Sequence, residues 1–287
     1  MLLLLATMFG ANHVAARVAL DHGVDVLTAV AVRSGVTALV VAAIARAMGA
    51  SWTLKPRERR VMLVIGVLVA VQSACLYSAV ARIPVGLALL AFNTYPLWTA
   101  LAVWVLYRHR PERAVLIAMP LILLGLALAL DVSGAAGGLD ARTQWALIGG
   151  GVGFALVAGA AFGVVLATTQ HEVADLDGRA RSAFTMAVVG ALALAAGLST
   201  GGLHWPDASA GWWGLAALSV LYGIAFTAVF TLLPKLGAVS NSPILNVEPV
   251  AALVLGSLVL GQVVSPLQWL GALIVVGAVM ALGLRKR

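Results

Sequence analysis

The sequence predicts an all-α integral membrane protein: ten transmembrane helices forming two inverted-topology five-helix repeats around a central cavity. Three observations carry this. The 287 residues are 62% hydrophobic and only 10% charged, whereas a soluble domain carries roughly 25% charged residues. Apolar runs of spanning length recur from end to end, without the short alternating segments of an outer-membrane barrel. The second half also repeats landmarks of the first at a constant offset of 153 residues, the separation of Pro96 from Pro249.

The helices follow from the breaks between apolar runs. The first, over 2–20, reads as a spanning segment and not a cleaved signal, because it lacks a basic start and polar residues follow at once. Asp21 and Asp25 separate it from the second, 26–47. A basic stretch from Arg46 to Arg60 precedes the third, 60–81, and "ARIPVG" alone separates that from the fourth, 85–107. Arg108 and Arg110 precede the fifth, 113–130. The small, polar segment "DVSGAAGGLDARTQ" leads into the sixth, 145–169. Arg179 precedes the seventh, 180–199, and a connection bearing Asp207 the eighth, 211–233. Lys235 marks the boundary before the ninth, 238–260, and the tenth, 267–284, runs into a basic tail. The expected organisation is a first repeat over 1–131, a linker over 132–144 and a second repeat over 145–287.

Charge sets an expected orientation. With a cytoplasmic N-terminus, the inner loops and tail hold Arg46, Lys55, Arg57, Arg59, Arg60, Arg108, Arg110, Arg113, Arg179, Arg181, Lys235, Arg285, Lys286 and Arg287. The outer loops hold only Arg82 and Arg142. That asymmetry places both termini in the cytoplasm by the positive-inside tendency. The net charge of +7 is explained the same way and implies no nucleic-acid partner. The single Cys75 cannot form an internal disulfide.

Sliding the chain over itself by 153 residues sets Phe9-Gly10 on Phe162-Gly163, Tyr77-Ser78 on Phe230-Thr231, Arg82 on Lys235, Asn93 on Asn246 and Pro96 on Pro249. Each half has five helices, an odd number, so the second must enter the membrane in the opposite sense. This is a plan of secondary transporters, with a site near the midplane between the halves.

The stretches "TMFGANHVAARVAL", "YSAVARIPVGLALLAFNTYPLWTAL" and "LLPKLGAVSNSPILNVEPVAALVLGSLVLGQ" carry a resemblance to the ten-helix, EamA-type members of the drug/metabolite transporter superfamily, over essentially the whole chain. The third holds a Pro-Val-x-Ala…Leu-Gly pattern; the family usually follows it with Glu, and this chain has Gln262. The resemblance implies export of small metabolites, often amino acids. The aromatic-bearing helices resemble the aromatic amino-acid exporter branch (YddG-type).

Glu248 is the one acid deep within a predicted span, about 15 Å from either end of the ninth helix at 1.5 Å per residue. An ionised carboxylate there must face the bundle interior, pair with a base or be protonated. The candidate bases are His13, Arg17 and Arg33. His13 and Arg17 share a face of the first helix, beside Asn12; Arg17, near the outer end, is expected to reach water. Asn93 and Asn246 each lie three residues before a proline. Pro96 and Pro249 are expected to kink their helices and free the carbonyls of Phe92 and Leu245, the devices a midplane site uses. Tyr77, Phe92, Tyr95, Trp98 and Tyr222 add aromatic surface. Trp104, Tyr107, Trp205, Trp212 and Trp213 fit interfacial belts. Gly149-x-x-x-Gly153 and Gly159-x-x-x-Gly163 permit close helix contacts.

The expected pathway residues are therefore Asn12, His13, Arg33, Tyr77, Asn93, Tyr95, Asn246 and Glu248, with Glu248 and His13 as candidate proton sites. Neither a metal-ligand cluster, a nucleophile set nor a phosphate loop is present; no cofactor and no enzymatic activity are expected. The expected protein is a monomeric secondary transporter of the bacterial inner membrane. It would export small metabolites, aromatic or neutral amino acids first, by alternating access, with the substrate and the lipid bilayer as partners. A gated, channel-like facilitator is the alternative, and an intramembrane lipid-handling protein a more remote one.

Overall fold

A computed structural model describes residues 2–110, 113–131, 133, 134, 138, 140–232 and 247–285. Eleven helices occupy them: α1 Leu2–Asp21, α2 Val26–Ala47, α3 Pro56–Val80, α4 Val85–Phe92, α5 Tyr95–Tyr107, α6 Arg113–Ala129, α7 Ala141–Glu172, α8 Gly178–Ser199, α9 Ser209–Leu232, α10 Glu248–Leu260 and α11 Pro266–Arg285. Among the described residues there is no strand. α4 and α5 together make one crossing, Val85–Tyr107, and it is among seven segments long and apolar enough to span a bilayer. Val115–Ala129, Glu248–Leu260 and Pro266–Ala281 are shorter apolar helices. Counted by crossings, with α10 as the described part of the ninth, the chain has ten. Lys235, Leu245, Asn246, Lys286, Arg287 and part of the linker lie outside the described residues.

Local chemistry sets the helix ends. Asp25 caps α2, accepting from the Thr28 N–H at 2.9 Å and the Thr28 hydroxyl at 2.6 Å. Burial pushes its carboxyl up, but these bonds and one from the His204 N–H outweigh it and hold the group below the usual carboxylate range. Asp140 and Asp177 cap α7 and α8 in the same manner. α7 starts four residues earlier and ends three later than the hydrophobic run suggests, because its polar ends are helical too.

The repeat is visible in the helix bounds. α5 and α10 start at Tyr95 and Glu248 and end at Tyr107 and Leu260, 153 residues apart at both ends. Each carries proline at its second position, and each is closed by a left-handed residue, Arg108 (φ 61°) and Gly261 (φ 65°). α3 and α9 start at the same offset, as do α6 and α11.

Packing obeys the same exchange. α1 lies on α9 as α7 lies on α3, and α1 on α10 as α7 on α5, while α2 pairs with α8 and α6 with α11. In lipid, apolar side chains gain little by leaving the surrounding solvent, so close backbone approach does much of the joining. A methyl group on Gly10 would sit 3.0 Å from the Ala252 nitrogen, and one on Gly163 would sit 2.7 Å from the Thr99 nitrogen. Gly10 and Gly163 are offset partners, and so are Thr99 and Ala252. The same contact is therefore made twice, with the halves exchanged. Gly159 presses on the Phe92 carbonyl, so its pair with Gly163 is used inside the bundle. Gly149 meets only Trp145 of its own helix and Gly153 meets open space. Large apolar side chains such as Leu39, Ile117, Leu147 and Leu258 cover the outside, the surface a lipid-embedded bundle presents.

Candidate functional site

The two half-helices α5 and α10 begin in the middle of the bundle. Proline at the second position lacks an N–H, and its ring excludes a preceding helical turn, so each proline starts a helix. Pro96 thus sits past a full break at Asn93-Thr94, where the sequence suggested a kink. Around that break the Asn93 N–H still reaches the Leu89 carbonyl at 2.9 Å, the Thr94 hydroxyl donates to the Ala91 carbonyl at 2.8 Å, and the Trp98 indole donates to the Thr94 hydroxyl at 3.2 Å. Pro249 stands in the same relation to Glu248, the first residue of α10.

Glu248 Oε1 lies 3.3 Å from His13 Nε2. This joins the first helix of one repeat to the half-helix of the other. The His13 ring meets Tyr77 edge-on, with centroids 5.8 Å apart. Tyr77 is completely buried, and its hydroxyl accepts from Arg33 Nη1 at 3.2 Å. Arg33 Nη2 donates to the Ser73 hydroxyl at 3.0 Å. The guanidinium is held between two rings, 4.1 Å from the centroid of Tyr222 and 5.0 Å from that of Tyr77. Tyr222 stacks in turn on Phe226 and meets Phe9 edge-on.

Among the described residues, His13 Nδ1, Arg33 Nε and the Ser34 hydroxyl are buried without a hydrogen-bond partner, and Asn12 is buried beside Tyr77. A second aromatic group lies where α5 starts, formed by Phe92, Tyr95 and Phe162 with centroids 5.2–5.6 Å apart. Glu248 is within electrostatic range of Tyr77, Tyr95 and Tyr222, which ties both groups to one centre.

The structure therefore brings together Asn12, His13, Arg33, Tyr77, Tyr95 and Glu248. Asn93 is buried at the α4–α5 break, and Asn246 lies outside the described residues. Arg17 is elsewhere, paired with Asp21 at 2.8 Å and donating to the Val80 carbonyl at 2.8 Å; it thus ties the end of α1 to the end of α3. The sequence reading passed over Ser73, Ser34, Phe9 and Phe162. Ser73 stands one helical turn before Tyr77, which is a readable signal; Phe9 and Phe162 were visible as repeat partners without a role.

Other contacts mark the two faces of the bundle. On the face holding Asp25, His204 bonds to that carboxylate, and Gln262 Oε1 accepts from the Val85 N–H at 3.2 Å, capping α4 across the repeats. A glutamate at that position would offer the same acceptor. On the opposite face Arg57 pairs with Glu172 at 2.6 Å, and Tyr107 stacks on His171 at 4.0 Å. A separate apolar groove of about 450 Å³, lined by Val14, Val18, Trp213, Leu255 and Val259 among others, opens between α1, α9 and α10. It takes no part in the polar centre. Among the described residues no group of three His, Cys, Asp or Glu side chains is placed to hold a metal.

Two repeats of five crossings, the first broken at Asn93-Thr94 and the two joined by the buried His13–Glu248 contact, fit a helical membrane protein of the transporter class. The chain belongs to the EamA-like transporter family, whose sequence pattern matches residues 1–130 and 149–284. A solved crystal structure of another protein is similar in fold, with a TM-score of 0.64 and 20% identity over 99% of this chain and 96% of that one. No curated protein matches the chain. The protein is a multi-pass membrane transporter and not an enzyme.

Proposed function

We propose that this protein is a secondary carrier that exports small metabolites, aromatic or neutral amino acids first, across the bacterial inner membrane by alternating access. The observation that carries the reading is the Glu248–His13 contact at the start of α10, next to Arg33 and between the two repeats. Intramembrane ionisable groups mark pathways, and discontinuous helices of inverted repeats converge on substrate. The ring groups around Tyr222 and Tyr95 suit an aromatic side chain.

In this reading both termini face the cytoplasm, as the distribution of Lys and Arg supports. The repeats, 1–131 and 145–287 joined by 132–144, rock against each other. The Asp25–His204 and Arg17–Val80 contacts close one face, the Arg57–Glu172 and Tyr107–His171 contacts the other, and each set opens in turn. Glu248 and His13 exchange protons with the pathway, facing Arg33, Tyr77, Tyr95 and Tyr222. The protein acts as a monomer on its small-molecule substrate within the bilayer.

The test is uptake of radiolabelled L-phenylalanine and L-leucine into vesicles reconstituted with the purified protein. A carrier gives saturable uptake that rises when unlabelled substrate is preloaded inside. Unsaturable flux with ionic conductance would identify a channel-like facilitator instead.

A further inference from the structure

We infer that Arg33 is the anchor for a substrate carboxylate, so that a free carboxylate beside an amino group is the feature good substrates share. This rests on the carrier reading above and adds the recognition chemistry of its site.

The starting point is charge. Among the described acids, Glu248, at the start of α10, is the one that stands at this centre; the others lie at the outer ends of helices or in the connections between crossings. Arg33 is seven residues into α2 and 3% exposed; at 1.5 Å per residue that is about 10 Å from the helix start. Glu248 already has His13 at 3.3 Å. Among the described residues no carboxylate stands within ion-pair distance of Arg33, and the undescribed stretch 233–246 contains no acid. A guanidinium held in the membrane without a counter-ion is costly, by several kcal/mol. The charge is retained where an incoming anion completes it.

The remaining donors define which anion. A guanidinium has five N–H donors. One goes to Tyr77 and one to Ser73, and the guanidinium carbon lies 4.1 Å from the Tyr222 ring centroid and 5.0 Å from that of Tyr77. What remains includes the in-plane Nε edge, which is buried and without a hydrogen-bond partner among the described residues. An in-plane edge is what a planar carboxylate matches in a two-pronged contact. Asn12, buried beside Tyr77, adds an amide at the same centre. A phosphate dianion fits poorly, since Arg33 is the one arginine or lysine at this centre among the described residues and Glu248 acts on the same tyrosines. A positive and a negative group flanking the same rings instead match a zwitterion: carboxylate to Arg33, ammonium toward Glu248.

The experiment uses the full-length protein in detergent and reads thermal stabilisation by four probes: L-phenylalanine, L-phenylalaninamide, 3-phenylpropionate and phenethylamine. Wild type is expected to respond to L-phenylalanine at concentrations at least about tenfold lower than to the amide or the amine, roughly one charge-assisted contact. 3-Phenylpropionate should bind between these limits. In Arg33→Gln the amino acid should lose its advantage over the amide, and Arg33→Lys should restore part of it. The wild-type comparison stands even where a variant fails to insert. Equal binding of amino acid and amide by wild type overturns the role of Arg33 while leaving the carrier reading intact. If acid–amide pairs of the other amino acids are also tried and none binds, the amino-acid reading fails and this inference falls with it.

Discussion

His13 on α1 and Glu248 at the start of α10 lie 3.3 Å apart, nitrogen to oxygen, at the junction of the two repeats. The contact links a long helix of one half to the start of a short helix of the other. In the carrier reading, any rocking of the halves must stretch or rebuild it.

Replacing Glu248 with glutamine keeps the shape and removes the charge. We expect folded, inserted protein whose amino-acid counterflow is reduced roughly tenfold or more, a loss of about 1.4 kcal/mol or greater. Counterflow in reconstituted vesicles is the measurement. An unchanged rate would remove Glu248 from the mechanism.

Gly163 and Gly153 share α7 but differ in surroundings. Alanine at 163 forces its methyl group to 2.6 Å from the Trp98 Cβ and 2.7 Å from the Thr99 nitrogen, whereas alanine at 153 meets open space. The first should lower stability by about 1–3 kcal/mol through overpacking. The second should be neutral or raise it by up to about 1 kcal/mol, the helix-propensity gain over glycine. Thermal midpoints in one detergent separate the two.

Gln262 caps α4 through the Val85 N–H. Gln262→Leu removes the acceptor and should cost about 1 kcal/mol, a typical cap loss. Gln262→Glu should retain the wild-type midpoint, because a carboxylate oxygen accepts the same bond. A drop of equal size in both variants would show that the side chain acts by packing alone.

Asp177 lies outside the membrane-spanning run of α8. The Arg179 side chain bonds to it at 2.6 Å and holds its carboxyl below the usual range. A folded-state pKa below the unfolded value of about 3.9 gives stability that is present above that pH and lost as pH falls through the folded value. The gap in thermal midpoint between wild type and Asp177→Asn should therefore be constant above about pH 5 and shrink as the pH is taken below 4. A constant gap down to pH 3 would mean that the carboxylate charge does not contribute.

Much of the architecture could be read from the chain. Apolar run length set the number of crossings, and the 153-residue offset set their arrangement; the structure repeats that offset at both ends of α5 and α10. Boundaries were less legible where polar ends are helical, as at Ala141 and Glu172. Pro96 pointed to the interruption at Asn93-Thr94, but the residues themselves do not distinguish a bend from a complete break. That depends on whether neighbours such as Thr94 and Trp98 satisfy the freed backbone groups.

The sequence by itself determined that this chain lives in lipid, that it is a doubled five-helix unit and that His13 and Arg33 lie well inside their helices. Depth along a helix follows from counting residues at a fixed rise, so no folding is needed to know it. Only the tertiary structure decided that Glu248 meets His13 and not Arg33 or Arg17, that Arg33 is clamped between Tyr77 and Tyr222, and that Gly159 and Gly163 make close contacts while Gly149 and Gly153 do not. Those facts depend on the rotation and mutual approach of helices far apart in the chain, which arise from packing the whole bundle.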